Sequence, residues 1–414
     1  MERKTYLQKL IRSKHNGMIK IVTGIRRCGK SYLLLNLFHK HLMQSGVDEQ
    51  HIVIVDLEDR RNKNLCNPDN LLEFIDSKIT DNKMHYVLLD EIQRVPEFED
   101  VLNSYLKMSN VDVYVTGSNS KLLSSDIITE FRGRGYEIRV HPLSFKEFME
   151  VYPGPMNRQQ ALLDYMIYGG MPQVAAMTSI EEKEDFLKSL FTGTYLRDIK
   201  ERYKIANDSD LEELVNVIAS GIGGLTNPRK LQDTFKSVKH SSITDDTVKR
   251  YLDIMQDAFL IERAIRYDIK GKKHIGTPAK YYFEDLGLRN ARLNFRQAEE
   301  SHLMENLIYN ELRIRGYSVD VGQVTVNEKD EKGKSIRKNY EVDFVCNRGF
   351  KRYYIQSALD MPTPEKVEQE KNSLKRINDS FQKIIITGGL TPTHINDDGI
   401  MIANIFDFLL KDEF

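Results

Sequence analysis

Ile19-Lys20-Ile21-Val22-Thr23-Gly24-Ile25-Arg26-Arg27-Cys28-Gly29-Lys30-Ser31-Tyr32-Leu33-Leu34-Leu35 is the stretch on which the reading of this chain turns. It opens with residues that suit a buried strand and closes with an apolar helical run. Between them, Gly24 to Ser31 fits the spacing G-x-x-x-x-G-K-[ST], in the strand–loop–helix setting that gives the spacing its meaning. The glycines let the backbone wrap a phosphate chain with its N–H groups turned inward, and the helix adds the positive end of its dipole. Gly24, Ile25, Arg26, Arg27, Cys28, Gly29, Lys30, Ser31 and Tyr32 are therefore the expected nucleotide-binding run. Lys30 is expected at the β- and γ-phosphates and the Ser31 hydroxyl at Mg²⁺. The expected ligands are ATP and Mg²⁺.

Working outward, Thr5 to Arg12 reads as an amphipathic helix, His51 to Asp56 as a strand and Leu71 to Ile79 as a helix. Tyr86-Val87-Leu88-Leu89 then leads into Asp90-Glu91. An apolar strand ending in two acids, downstream of a phosphate loop, gives Asp90 to the metal and Glu91 to the attacking water. Val111 to Thr116 is the next strand, and the polar run after it makes Ser118 and Asn119 candidates to orient water, with an ordinary polar turn as the alternative. Arg132 and Arg134 flank a glycine before a strand at Glu137 to Val140. Each is a candidate arginine finger for a neighbouring subunit's γ-phosphate, which would imply a homo-oligomer; solvated loop arginines are the alternative.

The motifs GIRRCGKS, YVLLDEIQ, VTGSNSKLL, RGR, HPLSFKEF and YGGMPQV occur in that order from Gly24 to Val174. Together they resemble the prokaryotic AAA-type ATPases that carry a C-terminal domain of uncharacterised function, relatives of the archaeal-type and signalling ATPases. The resemblance implies an α/β P-loop sheet with an additional strand, in which the Val111–Thr116 strand lies between the phosphate-loop strand and the Asp90 strand. It also implies that Pro172, in Tyr168-Gly169-Gly170-Met171-Pro172, stands near the adenine. From the residues alone that run is a helix boundary.

Glu181 to Lys204 has helical spacing and is expected as a linking helix. Leu211 to Ala219, Pro228 to Ser237 and Asp245 to Ala258 read as three short helices, the last two with Asn-Pro and Thr-Asp-Asp starts. Strands at Leu260 to Tyr267 and Ala279 to Phe283 around a basic turn complete a winged helix-turn-helix. From Arg229 to Lys280 there are 12 Lys/Arg against 7 Asp/Glu, a local +5 in a chain whose net charge is −1. That excess suits a phosphate backbone and makes DNA the candidate partner, through Lys249, Arg250, Lys270, Lys272 and Lys273. A lid or protein-interaction module is the alternative.

Further on, a helix at Ser301 to Gly316 carries Glu305, a strand carries Asp343, and the next strand reads Tyr354-Ile355-Gln356-Ser357-Ala358. The layout resembles restriction-endonuclease-like domains, whose acids gather around Mg²⁺ beside a lysine. Here Gln356 stands where the second acid is expected and Ala358 where the lysine is expected. An amide is a poor Mg²⁺ ligand and alanine supplies no charge, so the hydrolytic centre reads as eroded; ordinary solvated acids in an unrelated α/β domain are the alternative for Glu305 and Asp343. Lys351, Lys366 and Lys371 are the lysines that could replace the missing one.

The expected domains are 1–155, a P-loop ATPase core; 156–206, a helical lid or linker; 207–290, a winged helix-turn-helix; and 291–414, a restriction-endonuclease-like domain, catalytically degenerate. Three scattered cysteines fit neither a disulfide framework nor a zinc spacing. The charged start has no signal-peptide core, and no apolar run approaches the ~18 residues of a membrane span. A cytoplasmic, membrane-free protein is expected. The leading function is an ATP-dependent switch or motor acting on DNA or a DNA-associated partner. An ATP-gated nuclease, or an ATP-responsive scaffold without DNA contact, are the alternatives.

Overall fold

The computed structural model describes residues 1–118, 133–155, 157–205, 208–239, 243–296, 299–329, 335–389 and 391–413. They form two compact units, 1–142 with 257–259, and 143–256 with 260–414. No helix among the described residues is long and apolar enough to cross a membrane.

The first unit is built on five strands: β1 (Ile19–Thr23), β2 (Ile52–Asp56), β3 (His85–Asp90), β4 (Val111–Thr116) and β5 (Gly135–Arg139). Their order is β2-β3-β4-β1-β5 and every neighbouring pair is parallel, so β4 lies between β1 and β3 as the resemblance implies. Every residue of β1 and β3 is buried, which is why these strands read as unbroken rather than alternating runs. On one face Ile21, Val55 and Leu89 share a core with Leu71 and Ile75 of the Pro68–Lys78 helix and Leu102 of the Phe98–Tyr105 helix. Asn67 caps the first of these helices, accepting from the Asp69 and Asn70 N–H groups ahead of a proline at its start. Lys20 is buried in β1 and forms an ion pair with Asp112 of β4, which also accepts from the Tyr114 hydroxyl at 2.8 Å.

The second unit begins with helices Phe145–Val151 and Arg158–Tyr168, the first under a Ser144/Glu147 capping box. The expected linking helix runs as Ile180–Leu190, a π-helical segment Phe191–Leu196, and Arg197–Tyr203. Thr192, Gly193 and Thr194 are weak helix formers and coincide with the widened turns. Helices Asp208–Ser220, Pro228–Lys239 and Asp245–Asp257 follow as expected.

The hairpin after them, β6 (Ile261–Asp268) and β7 (Lys273–Phe283), has a longer second strand than the sequence suggests. It also does not stand alone. β6 pairs in parallel with β8 (Ser318–Lys329), so the hairpin is the edge of an eight-stranded sheet that continues across residues 290/291. The remaining strands are β9 (Ser335–Arg348), β10 (Lys351–Ala358), β11 (Gln382–Thr387), β12 (His394–Ile395) and β13 (Met401–Asn404). The order is β12-β13-β11-β10-β9-β8-β6-β7. β8, β9 and β10 are antiparallel neighbours, and after the Pro364–Lys375 helix β11 returns parallel to β10. The Glu300–Ile314 helix buries Leu303, Leu307, Ile308 and Leu312, and its Asn306 is hydrogen-bonded to both backbone groups of Phe283.

Candidate functional site

The candidate nucleotide site lies at the carboxyl ends of β1, β3 and β4. β1 turns at Gly24, where φ is +138° and a Cβ would lie 2.0 Å from the Val140 carbonyl oxygen. Glycine is therefore required there twice over, for conformation and for space. Arg27 and Gly29 also have positive φ, 61° and 100°. Such alternation turns successive N–H groups into one hollow. Cys28 is buried and its thiol points to the Val140 carbonyl at 3.3 Å, so it anchors the loop rather than supplying chemistry. Ile25 is buried, Arg26 lies 3.7 Å from Glu58, and Tyr32 is exposed on the first helical turn. Lys30 is buried, with Nζ donating to the carbonyls of Gly24 at 3.0 Å and Ile25 at 3.1 Å. Its ammonium thus sits across its own loop.

Asp90 ends β3 and is buried; it accepts hydrogen bonds from the hydroxyls of Thr116 and Ser31. Burial pushes its carboxyl above the usual range, against the pull of those two hydroxyls. Glu91 follows in a left-handed conformation, φ 54° and ψ 49°, which costs a non-glycine residue of order 1–3 kcal/mol and persists only where the surroundings impose it. They do: its N–H donates to Thr116 Oγ1 at 3.0 Å, and its Oε2 accepts from Ser118 Oγ at 2.9 Å and from the Gln93 amide. Ser118 therefore holds the Glu91 side chain, and Thr116 bridges both acids.

The loop and the Ser31–Asp90 pair fit a nucleotide with Mg²⁺: a hollow too tight for a Cβ at Gly24, a buried ammonium, and a hydroxyl already joined to a carboxylate. Thr116 and Gln93 were not legible as site residues. Thr116 reads as the last residue of a strand, although a polar residue closing an apolar run beside Asp90 was the available signal.

Asn119 and Arg132 lie outside the described residues. Arg134 is exposed just before β5, and its carbonyl accepts from the Ile19 N–H at 2.9 Å. It therefore sits at the amino end of the sheet, opposite the phosphate loop of its own chain. Pro172 opens the short helix Pro172–Ala175 of the second unit, after the Arg158–Tyr168 helix stops at Gly169. The buried Asp285 carboxylate accepts from the Gly170 N–H at 2.7 Å and the Leu288 N–H at 3.0 Å, fixing that bend.

In the second unit Glu305 and Asp343 converge, but on a lysine. Of the three lysines that could replace the missing one, Lys351 pairs with Glu413, Lys366 with Glu370 and Lys371 with Asp398. The lysine that reaches the acids is Lys280 of β7, 2.8 Å from both Glu305 and Glu341 and 3.6 Å from Asp343. Burial alone would lower its basicity, but the three carboxylates outweigh that and hold it charged. Burial, with Glu305 nearby, pushes Asp343 up to about 7. The Tyr282 hydroxyl donates to Glu305 at 2.6 Å, and a Cβ on Gly223 would lie 3.0 Å from the same carboxylate. Gln356 Oε1 accepts from the Asp343 N–H at 3.4 Å, and Ala358 is buried in the apolar core. The signal for Lys280 was a lysine inside the otherwise apolar run Ala279–Phe283.

At the hairpin tip Lys270, Lys272 and Lys273 are exposed. Lys270 lines an open groove with Arg337 and Arg376.

This sheet order and this loop define an AAA-type P-loop domain. Residues 16–149 match the AAA domain family, and residues 159–299 match a domain of unknown function, DUF8612. The chain belongs to the same family as an uncharacterised protein of Haemophilus influenzae, 34% identical over 99% of both chains. An uncharacterised protein of Methanocaldococcus jannaschii is 28% identical over 90% of this chain and 80% of its own. Among solved structures, the Aeropyrum pernix ORC1 protein in complex with DNA covers 70% of this chain and 91% of its own at 11% identity and TM-score 0.32. A DNA polymerase III gamma subunit-related protein of Thermotoga maritima covers 61% and 99% at 11% identity and TM-score 0.30.

Proposed function

We propose that this chain binds ATP with Mg²⁺ and hydrolyses it slowly, using the cycle as a switch or motor on DNA or a DNA-associated partner. The observation that carries the reading is the convergence of Lys30, the Ser31–Asp90–Thr116 bonds and the Glu91–Ser118 bond at three neighbouring strand ends. The inward N–H groups of the loop and the Lys30 ammonium take up phosphate charge. Held by Ser31 and Asp90, Mg²⁺ would supply further positive charge to the phosphate oxygens. Among the described residues both side-chain bonds to Glu91 fall on Oε2, and Oε1 is the atom to take the proton of the attacking water. An arginine finger from Arg134 would act in trans, since it starts at the amino end of β5; Arg132 is the other candidate. A site near the adenine for Pro172 rests on the resemblance of its motif. The test is ATP turnover by the wild type beside Lys30→Ala, where equal rates would overturn the reading.

DNA contact is supported by the exposed Lys270, Lys272 and Lys273 and by the groove that Lys270 lines with Arg337 and Arg376. The three helices with the β6–β7 hairpin favour a winged helix-turn-helix within 207–290. The order helix, β8, β9, β10, helix, β11 favours a restriction-endonuclease-like core after it. Lys280 among the acids argues against the nuclease reading, because a tethered ammonium holds the carboxylates that a metal would need. A cytoplasmic location goes with this reading. Salt-dependent gel shifts separate the DNA-acting switch from a scaffold without DNA contact.

A further inference from the structure

His51 and His85 immediately precede Ile52 and Tyr86, which are partners in the parallel β2–β3 register. The two imidazoles therefore stand side by side at the amino ends of these strands, the end of the sheet opposite the phosphate loop. Their ring centroids are 4.9 Å apart at 71°, His51 is 3% exposed and His85 is fully buried. Nδ1 of His85 lies 2.8 Å from the Lys83 carbonyl, which can only accept, so Nδ1 carries the proton and Nε2 presents a lone pair. That Nε2 is buried and has no hydrogen-bond partner among the described residues. A buried polar atom left unsatisfied is unfavourable and calls for a partner. It faces Asp81, with Oδ1 at 4.0 Å, and Asp81 Oδ2 lies 3.0 Å from His51 Nε2.

We propose that His51, Asp81 and His85 form a binding site for a borderline transition-metal dication, Zn²⁺ or its analogue Co²⁺. One ligand atom from each residue lies within 4.8 Å of the other two. Four-coordinate Zn²⁺, with ligand bonds of about 2.0–2.2 Å, needs its ligand atoms about 3.3–3.6 Å apart. Asp81 already spans the two rings, with Oδ2 3.0 Å from His51 Nε2 and Oδ1 4.0 Å from His85 Nε2, and as the exposed member it is free to adjust toward that spacing. Two imidazoles and one carboxylate select Zn²⁺ over Mg²⁺ or Ca²⁺, which prefer all-oxygen shells. The His85 Nδ1–H to Lys83 carbonyl bond is the outer contact that fixes a metal-binding tautomer. On binding, His51 Nε2 gives up its contact with Asp81 and ligates as the neutral tautomer with its proton on Nδ1, which lies 3.7 Å from Asp48 Oδ2. Three protein ligands leave the fourth position to water. The site ties the turn before β3 to the start of β2, remote from nucleotide chemistry.

The test uses the full chain after chelation, titrated with Co²⁺ and followed by its visible d–d absorption, then with Zn²⁺ by calorimetry. One equivalent per chain is expected, with Lys30→Ala binding like the wild type. Asp81→Asn, an exposed change that leaves the core alone, is expected to weaken binding at least about tenfold. His85→Ala is expected to abolish it, and circular dichroism reports whether that variant is folded. Should it be unfolded, Asp81→Asn decides. No saturable Co²⁺ spectrum in the wild type, or an undiminished one in Asp81→Asn, overturns the site.

Discussion

Lys280 Nζ lies 2.8 Å from Glu305 Oε1, with Glu341 at the same distance, so an acid of the Glu300–Ile314 helix and an acid of β9 are held by one ammonium from β7, at the edge of the same sheet. Breaking a buried pair by removing one partner costs about 3–5 kcal/mol, because the other charge is left buried. Lys280→Met is expected to lose that much in urea unfolding. Adding Glu305→Gln and Asp343→Asn is expected to recover most of it. If neutralising the acids restores nothing, the loss arises from packing and not from charge.

The same arrangement bears on cleavage. Losing one group that stabilises charge in a transition state commonly costs ~10²–10³ in rate, and on the restriction-endonuclease-like reading proposed above Gln356 and Ala358 stand in place of two. No Mg²⁺- or Mn²⁺-dependent nicking of single- or double-stranded DNA is expected, with or without ATP. Cleavage by the wild type that vanishes in Asp343→Ala would mean that Lys280 serves catalysis.

At the phosphate loop, Lys30→Ala is expected to abolish triphosphate binding or turnover. Glu91→Gln keeps the shape and the Ser118 bond but cannot take a proton, so ATP is expected to bind and persist. Ser118→Ala releases one of the two side-chain bonds on Glu91 and is expected to change turnover while nucleotide affinity stays the same. A Glu91→Gln variant that hydrolyses at the wild-type rate would place the base elsewhere.

Replacing Lys270, Lys272 and Lys273 together with alanine is expected to weaken DNA binding on all sequences alike. Each phosphate that the variant no longer neutralises should take about 0.9 off the slope of log affinity against log salt. An unchanged slope in the triple variant would assign the hairpin tip another task.

Asp285 offers a pH test. Burial pushes its carboxyl up to about 6, against the backbone N–H groups that it accepts from. Because the folded value is raised, the folded state keeps a proton that the unfolded chain has released. The contribution is therefore fully present below about pH 4 and fades as pH rises through about 6, by up to roughly 3 kcal/mol. Asp285→Asn removes this titration. Its unfolding free energy, measured from about pH 4 to 7, should fall less steeply than that of the wild type, and parallel curves would refute the assignment.

Local patterns carried the first unit far. The spacing from Gly24 to Ser31 and the apolar run into Asp90-Glu91 depend on backbone conformation and burial over a few residues, which the chain states directly. The second unit's helices, with their Asn-Pro and Thr-Asp-Asp starts, were legible for the same reason. Arg134 shows the limit: its type and neighbours are plain in the chain, whereas parallel pairing of β5 with β1 decided that it stands away from its own loop.

What the amino-acid sequence determined by itself was a phosphate loop, two acids at a strand end, and the order of Glu305, Asp343, Gln356 and Ala358 along a helix and two strands. Only the tertiary structure decided that Thr116 bridges Asp90 and Glu91, that His51 meets His85, and that Lys280 fills the cluster of Glu305, Glu341 and Asp343. Caps and periodicities arise from interactions within a few residues. Ion pairs and ligand clusters arise from strand order and register, which bring together side chains that are remote along the chain.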